Sequence, residues 1–154
     1  MNKTSTAILK TGIIVGSLDI LLAFANAWFG SGISPTRVLQ FIASGVMGEK
    51  AFQYSYGITL LGLAIHFFIA IFWTALFFII YNRFKRIVRT PLLQSVFYGL
   101  FVWFVMNVLV LPLSNVPKSN FQWLEAIKSV VILIIAIGLP LVYFARQYYS
   151  GKIV

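Results

Sequence analysis

The sequence predicts an all-α membrane protein: a four-transmembrane-helix bundle with a short interfacial helix in its first outer loop. Three observations predict it. The composition is too apolar for a water-soluble fold, four apolar runs have spanning length, and the basic residues gather between and beside those runs.

Of the 154 residues, 60% are hydrophobic and 10% are charged, and the mean hydropathy is +0.94. A soluble domain carries about 25% charged residues. A chain of this length keeps much of its surface exposed, so a water-soluble fold could not hide the excess. Lipid is therefore the solvent for most of the outside, and residues 1–154 read as a single transmembrane domain.

The apolar runs at 12–29, 58–81, 92–112 and 124–144 approach the roughly 20 residues that cross a hydrocarbon core. Backbone groups in lipid must be satisfied internally, which makes each run a helix. The first run also resembles a signal peptide, with Lys3 and Lys10 ahead of it and Ala23-Phe24-Ala25 as a small-residue cleavage site. Asp19 interrupts what would be the apolar core of such a signal, so the expectation is a retained span.

The 30–57 connection is long for a bundle, whose helices are usually joined by about 2–8 residues. Ser34 can N-cap a helix with Pro35 in its first turn. Val38, Leu39, Phe41, Ile42, Val46 and Met47 would form its apolar face, giving a helix over 35–47 that is too short to span. It is expected to lie at the outer interface or cap the bundle, with a re-entrant course as the alternative. The 113–123 connection carries Pro117, Lys118, Phe121 and Trp123, the aromatics suiting an interface.

The formal charge is +9, from 12 Lys plus Arg against 3 Asp plus Glu. Lys3, Lys10, Arg83, Lys85, Arg86, Arg89, Arg146 and Lys152 fall on one side of a four-span chain. Arg37, Lys50, Lys118 and Lys128 fall on the other, with Glu49 and Glu125. That bias predicts both termini in the cytoplasm of a bacterial inner membrane. It assigns the basic residues to topology and lipid head groups, and no nucleic-acid partner is expected.

Without Cys, and with one His, neither a thiolate site nor a metal centre built by one chain is expected, and no cofactor is implied. No phosphate-binding loop, zinc-protease helix, serine-hydrolase elbow or dinucleotide fingerprint occurs. The enzymatic reading is accordingly the weakest.

Residues three and four apart share a helix face. Gly12, Gly16, Asp19, Ala23 and Asn26 make one stripe, and Gly62, His66, Ala70 and Thr74 another. Ser95, Gly99, Trp103 and Asn107 form the third, and Ser129, Ile132, Ala136 and Pro140 the fourth. Small residues let helices approach and polar ones avoid lipid, so these stripes are expected to form the interior. Counted from the apolar ends at about 1.5 Å per residue, Asn26, His66 and Asn107 lie about 20–23 Å in, and Asp19 about 12 Å. Asp19, Asn26, His66 and Asn107 are the candidate polar pocket, with the 34–48 segment as its lid. Asn26 and Asn107 also suit plain interhelical hydrogen bonding, and His66 a packing role. Asp19 carries the largest burial cost, a few kcal/mol even on lenient insertion scales. Pro140 is expected to kink the fourth span.

Ser34-Pro35, His66, Gly99-Leu100, the 107–112 stretch, Pro112-Leu113 and Pro117 together resemble the YagU-like group of small bacterial inner-membrane proteins. The resemblance implies an inner-membrane address. The family pattern has His where Asn107 stands and no acid at the position of Asp19. Two function classes follow from the residues: a small transporter or channel-like protein taking a small polar ligand, or a non-catalytic membrane subunit acting through helix–helix packing. The expected partners are the bilayer and a second copy or another membrane protein.

Overall fold

In a computed structural model, residues 3–53, 55–118 and 122–151 are described; Phe121 and Lys152 lie outside them. The chain forms α1 (Lys3–Ser31), α2 (Pro35–Met47), a 3-10 turn (Gly48–Phe52), α3 (Tyr56–Ile87), α4 (Pro91–Leu113) and α5 (Trp123–Tyr149). Among the described residues there is no strand. α1, α3, α4 and α5 are each long and apolar enough to cross a membrane, so the chain is an all-α, multi-pass bundle.

The helices outrun the apolar stretches. α1 begins at Lys3, well before residue 12, and α3 continues through Arg83, Lys85 and Arg86 to Ile87. Lys and Arg are good helix formers whose long stems stay on the helix while their charges reach water. Large apolar side chains such as Phe68, Ile79 and Leu60 stand 65–75% exposed, as a lipid-facing surface requires.

The start of α1 and the end of α5 meet at one end of the bundle, where Thr4 Oγ1 and Tyr148 OH are 2.7 Å apart. At the other end the two long connections are joined. The Asn115 backbone N–H donates to Gly45 O at 3.1 Å, and its side-chain amide donates to Val46 O at 3.2 Å.

Glycines set the closest approaches. A Cβ at Gly12 would stand 2.9 Å from Ile71, and one at Gly16 2.9 Å from the Ala70 methyl, which brings α1 against α3. A Cβ at Gly62 would run into the Leu39 carbonyl, and one at Gly138 into the Ser95 carbonyl. Gly62 thereby seats α2 on α3, and Gly99 and Gly138 seat α4 on α5.

The core is aromatic toward the basic end. Phe77, Phe78, Tyr81 and Tyr98 are buried, and the Phe77 and Tyr98 rings are 4.5 Å apart. Tyr98 OH donates to Trp73 O at 2.6 Å, locking α4 to α3 there.

α4 and α5 are not α-helical throughout. Val105–Val110 and Ile134–Gly138 are π-helical, and each precedes a proline, Pro112 and Pro140. Proline supplies no N–H and crowds the preceding turn. The residue ahead of it instead donates five residues back: Leu111 N–H to Met106 O, and Leu139 N–H to Ile134 O. Pro140 thus stands next to a widened turn, and Pro112 has one as well.

Candidate functional site

The site begins with the α1–α3 contact. Because Gly12 and Gly16 lack side chains, α3 lies close enough for His66 to reach the α1 backbone, and its Nε2 is 2.8 Å from Gly16 O. A carbonyl only accepts, so Nε2 carries the hydrogen of this bond. His66 is buried at 9% exposure, with the Phe67 ring set edge-on at 5.5 Å. Asp19 follows Gly16 by about one turn of α1 and lies within electrostatic reach of His66.

Asp19 and His66 open onto a cavity of about 400 Å³. Trp73, Val102 and Ile137 form its end nearest the aromatic core, and Ile65 and Ile69 continue the α3 wall. α2 closes the opposite end with Phe41, Ile42, Gly45 and Val46, beside Ser114 and Val116 of the second connection. The remaining wall is the widened part of the bundle. Met106 and Val110 belong to the π segment of α4, Ile137 to that of α5, and Leu111 and Leu133 adjoin them. π segments occur mostly as single-turn features, frequently at functional sites.

α2 is held over this space by its own ends. Ser34 Oγ accepts from Arg37 N–H at 3.3 Å with Pro35 in the first turn, and the helix stops at Gly48, whose φ of +62° suits glycine. Gln40, buried in the α2 face, donates to Gln53 O at 3.3 Å, and the Arg37 guanidinium lies 4.2 Å from the centre of the Phe52 ring.

Of the four candidate residues, Asp19 and His66 line the cavity, and Asn26 and Asn107 do not. Asn107 Nδ2 donates to Trp103 O, one turn back in its own helix, at 2.9 Å. Gly12 stands beside Ile71 and Gly16 beside Phe67 and Ala70; continuing that antiparallel register sets Asn26 opposite the first turn of α3. The shared depth of His66 and Asn26 expected from counting is therefore not observed. His66 is level with Gly16, because α1 begins at Lys3, well before its apolar stretch, and Gly12 stands opposite Ile71 and not opposite the end of the α3 stretch.

The stripes on α4 and α5 pack on each other. Trp103 Nε1 donates to Ser129 Oγ at 2.8 Å, and Gly99 lies against Ile134. Among the described residues no three metal-ligating side chains converge. The ion pair Lys128–Glu125, at 2.8 Å, is solvent-accessible on both sides, and Glu49 sits in the 3-10 turn, away from the cavity lining. Chemically, the site is an apolar chamber with one carboxyl and one imidazole in its wall. Such a chamber can hold a molecule with an apolar body and one hydrogen-bonding or cationic group, and it can exchange a proton with it.

Sequence reasoning missed Trp73, Met106 and Val110. Pro112 and Pro140 inside apolar runs were the available signal for the widened walls.

No protein-family model, curated protein or solved structure matches this chain. The four apolar helices define the class, an integral membrane protein with multiple spans.

Proposed function

We propose that this is a small transporter or channel-like protein whose ligand enters the Asp19–His66 cavity beneath α2. The observation that carries the reading is a chamber of about 400 Å³ between the spans, with a carboxyl and an imidazole in its wall. An intramembrane acid is expensive to keep, and a ligand-facing position accounts for it without a permanent partner. The apolar lining narrows the ligand from any polar solute to a small amphipathic molecule, its basic or hydrogen-bonding group set against Asp19. The basic end faces the cytoplasm of a bacterial inner membrane by charge bias, which places α2 at the outer side. The resemblance to YagU-like proteins agrees with that address.

The alternative, a subunit that packs on a partner through small-residue faces, loses its main support. Gly12, Gly16, Gly62, Gly99 and Gly138 all make close contacts within this chain.

The chain has no cysteine, so single-cysteine variants report cleanly. Ile69→Cys, in the cavity wall, should react in proteoliposomes with a small water-soluble thiol reagent. Val15→Cys, at 1% exposure in the close-packed core, should not. A lipophilic ammonium ion such as benzyltrimethylammonium should slow the reaction at Ile69→Cys, and Asp19→Asn should remove that protection. An unreactive Ile69→Cys would mean a dry chamber and would rule out the transport reading.

A further inference from the structure

A second concavity, of about 480 Å³, lies at the basic end between the first turns of α4 and the last turns of α5. Its walls are of two kinds. Leu92, Leu139 and Val142 form an apolar side, while Arg146, Gln147 and Ser150 form a polar side at the very end of α5. Arg146 is exposed, and among the described residues no carboxylate pairs with it. The nearest part of the bundle offers none: Asp19 is in the central cavity, Glu49 follows α2, and Glu125 binds Lys128. Every charged group described at this end is a cation, namely Lys3, Lys10, Arg83, Lys85, Arg86, Arg89 and Arg146.

An apolar wall running along two spans, ended at interface level by a guanidinium with no carboxylate partner among the described residues, matches the chemistry of an anionic phospholipid. We propose that this groove is a binding site for one anionic glycerophospholipid. Arg146 takes the phosphate, Gln147 and Ser150 hydrogen-bond the head group, and an acyl chain lies along Leu92, Leu139 and Val142. Guanidinium suits phosphate through its fork of N–H donors, and its bonds to an anion are charge-assisted. Basic pockets between helices on the cytoplasmic side are a recurrent form of lipid recognition. The site is separate from the Asp19–His66 cavity and does not depend on the transport reading.

The test uses the delipidated full chain in a neutral detergent, titrated with dioleoylphosphatidylglycerol or dioleoylphosphatidylcholine while thermal unfolding is followed. The anionic lipid should raise the melting temperature at lower concentration than the zwitterionic one. Arg146→Gln should weaken the apparent affinity for the anionic lipid roughly tenfold or more, the scale of a lost charge-assisted contact. Arg86→Gln removes a cation from the same end but outside the groove, and should leave the preference intact. Should Arg146→Gln fail to fold, Gln147→Glu keeps the guanidinium, adds a repelling charge and should give the same loss. Equal response to both lipids, an unchanged preference in the groove variants, or an equal loss in Arg86→Gln would overturn the site. If inorganic phosphate alone reproduced the stabilisation, the groove would be an anion site and the lipid assignment would fall.

Discussion

Replacing Gly62 by alanine sets two opposed effects against each other. Gly62 sits inside α3, where alanine is favoured over glycine by about 1 kcal/mol in an exposed helix interior. Propensity alone therefore makes Gly62→Ala stabilising. The structure reverses the sign, because the added methyl would occupy the space of the Leu39 backbone carbonyl. A carbonyl within a helix cannot rotate aside as a side chain does, so α2 must lift as a body. Overpacking costs typically 1–3 kcal/mol, and a clash with backbone belongs to the upper half of that range, about 2–3 kcal/mol, so after the propensity gain the net expectation is about 1–2 kcal/mol of destabilisation. For a chain of this size that lowers the melting temperature by about 2–8 °C. Because α2 also closes the cavity, labelling of Ile69→Cys should quicken in the same background. Gly30→Ala is the control: nothing lies within 4 Å of that position, so melting should hold or rise slightly. A Gly62→Ala protein that melts higher than wild type, with labelling unchanged, would refute the α2–α3 contact and the roof it supports.

Asp19→Asn should melt within about 1 kcal/mol of wild type, since the amide keeps the shape of the side chain and a polar group in the cavity wall. Asp19→Lys should melt far lower, by placing a cation beside His66 in a poorly solvated wall; a wild-type melt for the lysine variant would put position 19 at water. Tyr98→Phe removes the bond to Trp73 O and Trp103→Phe the bond to Ser129. Each should lose about 0.5–1.5 kcal/mol, and the double variant should show near-additive losses, as measured by reversible unfolding in mixed micelles. Ser5→Cys and Ser150→Cys should label from the cytoplasmic side alone and Lys118→Cys from the opposite side; termini that label from opposite faces would break the four-span topology.

The fold class was legible because lipid imposes a length rule and a backbone rule that composition alone reveals. Which face of each helix is covered was legible too: Gly12, Gly16, Gly62 and Gly99 all sit at close helix contacts. Which helix covers which face was not. A stripe records burial and says nothing of its partner, so the Ser95–Gly99–Trp103 face, read as facing a common interior, packs on α5. Depth failed for a related reason. The charged ends of α1 and α3 continue as helix by unequal amounts, and the apolar boundary gave a poor origin for counting. Asp19 and His66 could be paired from chemistry, whereas the contribution of Met106 and Val110 depends on a π segment that periodicity of 3.6 cannot foresee.

The bond from His66 to Gly16 also bears on how the chain enters its membrane. The two residues are 50 positions apart, and α1 has the lowest mean hydropathy of the four spans, at 1.9. At about 5–20 residues per second, several seconds pass between the synthesis of Gly16 and that of His66. During that interval α1 carries Asp19 with no α3 to lie against. The first span is therefore the one whose residence in the bilayer depends most on a later arrival. The expectation is that its insertion is completed when α3 emerges and the pair closes as a helical hairpin, so that a ribosome stalled before residue 66 should leave α1 extractable.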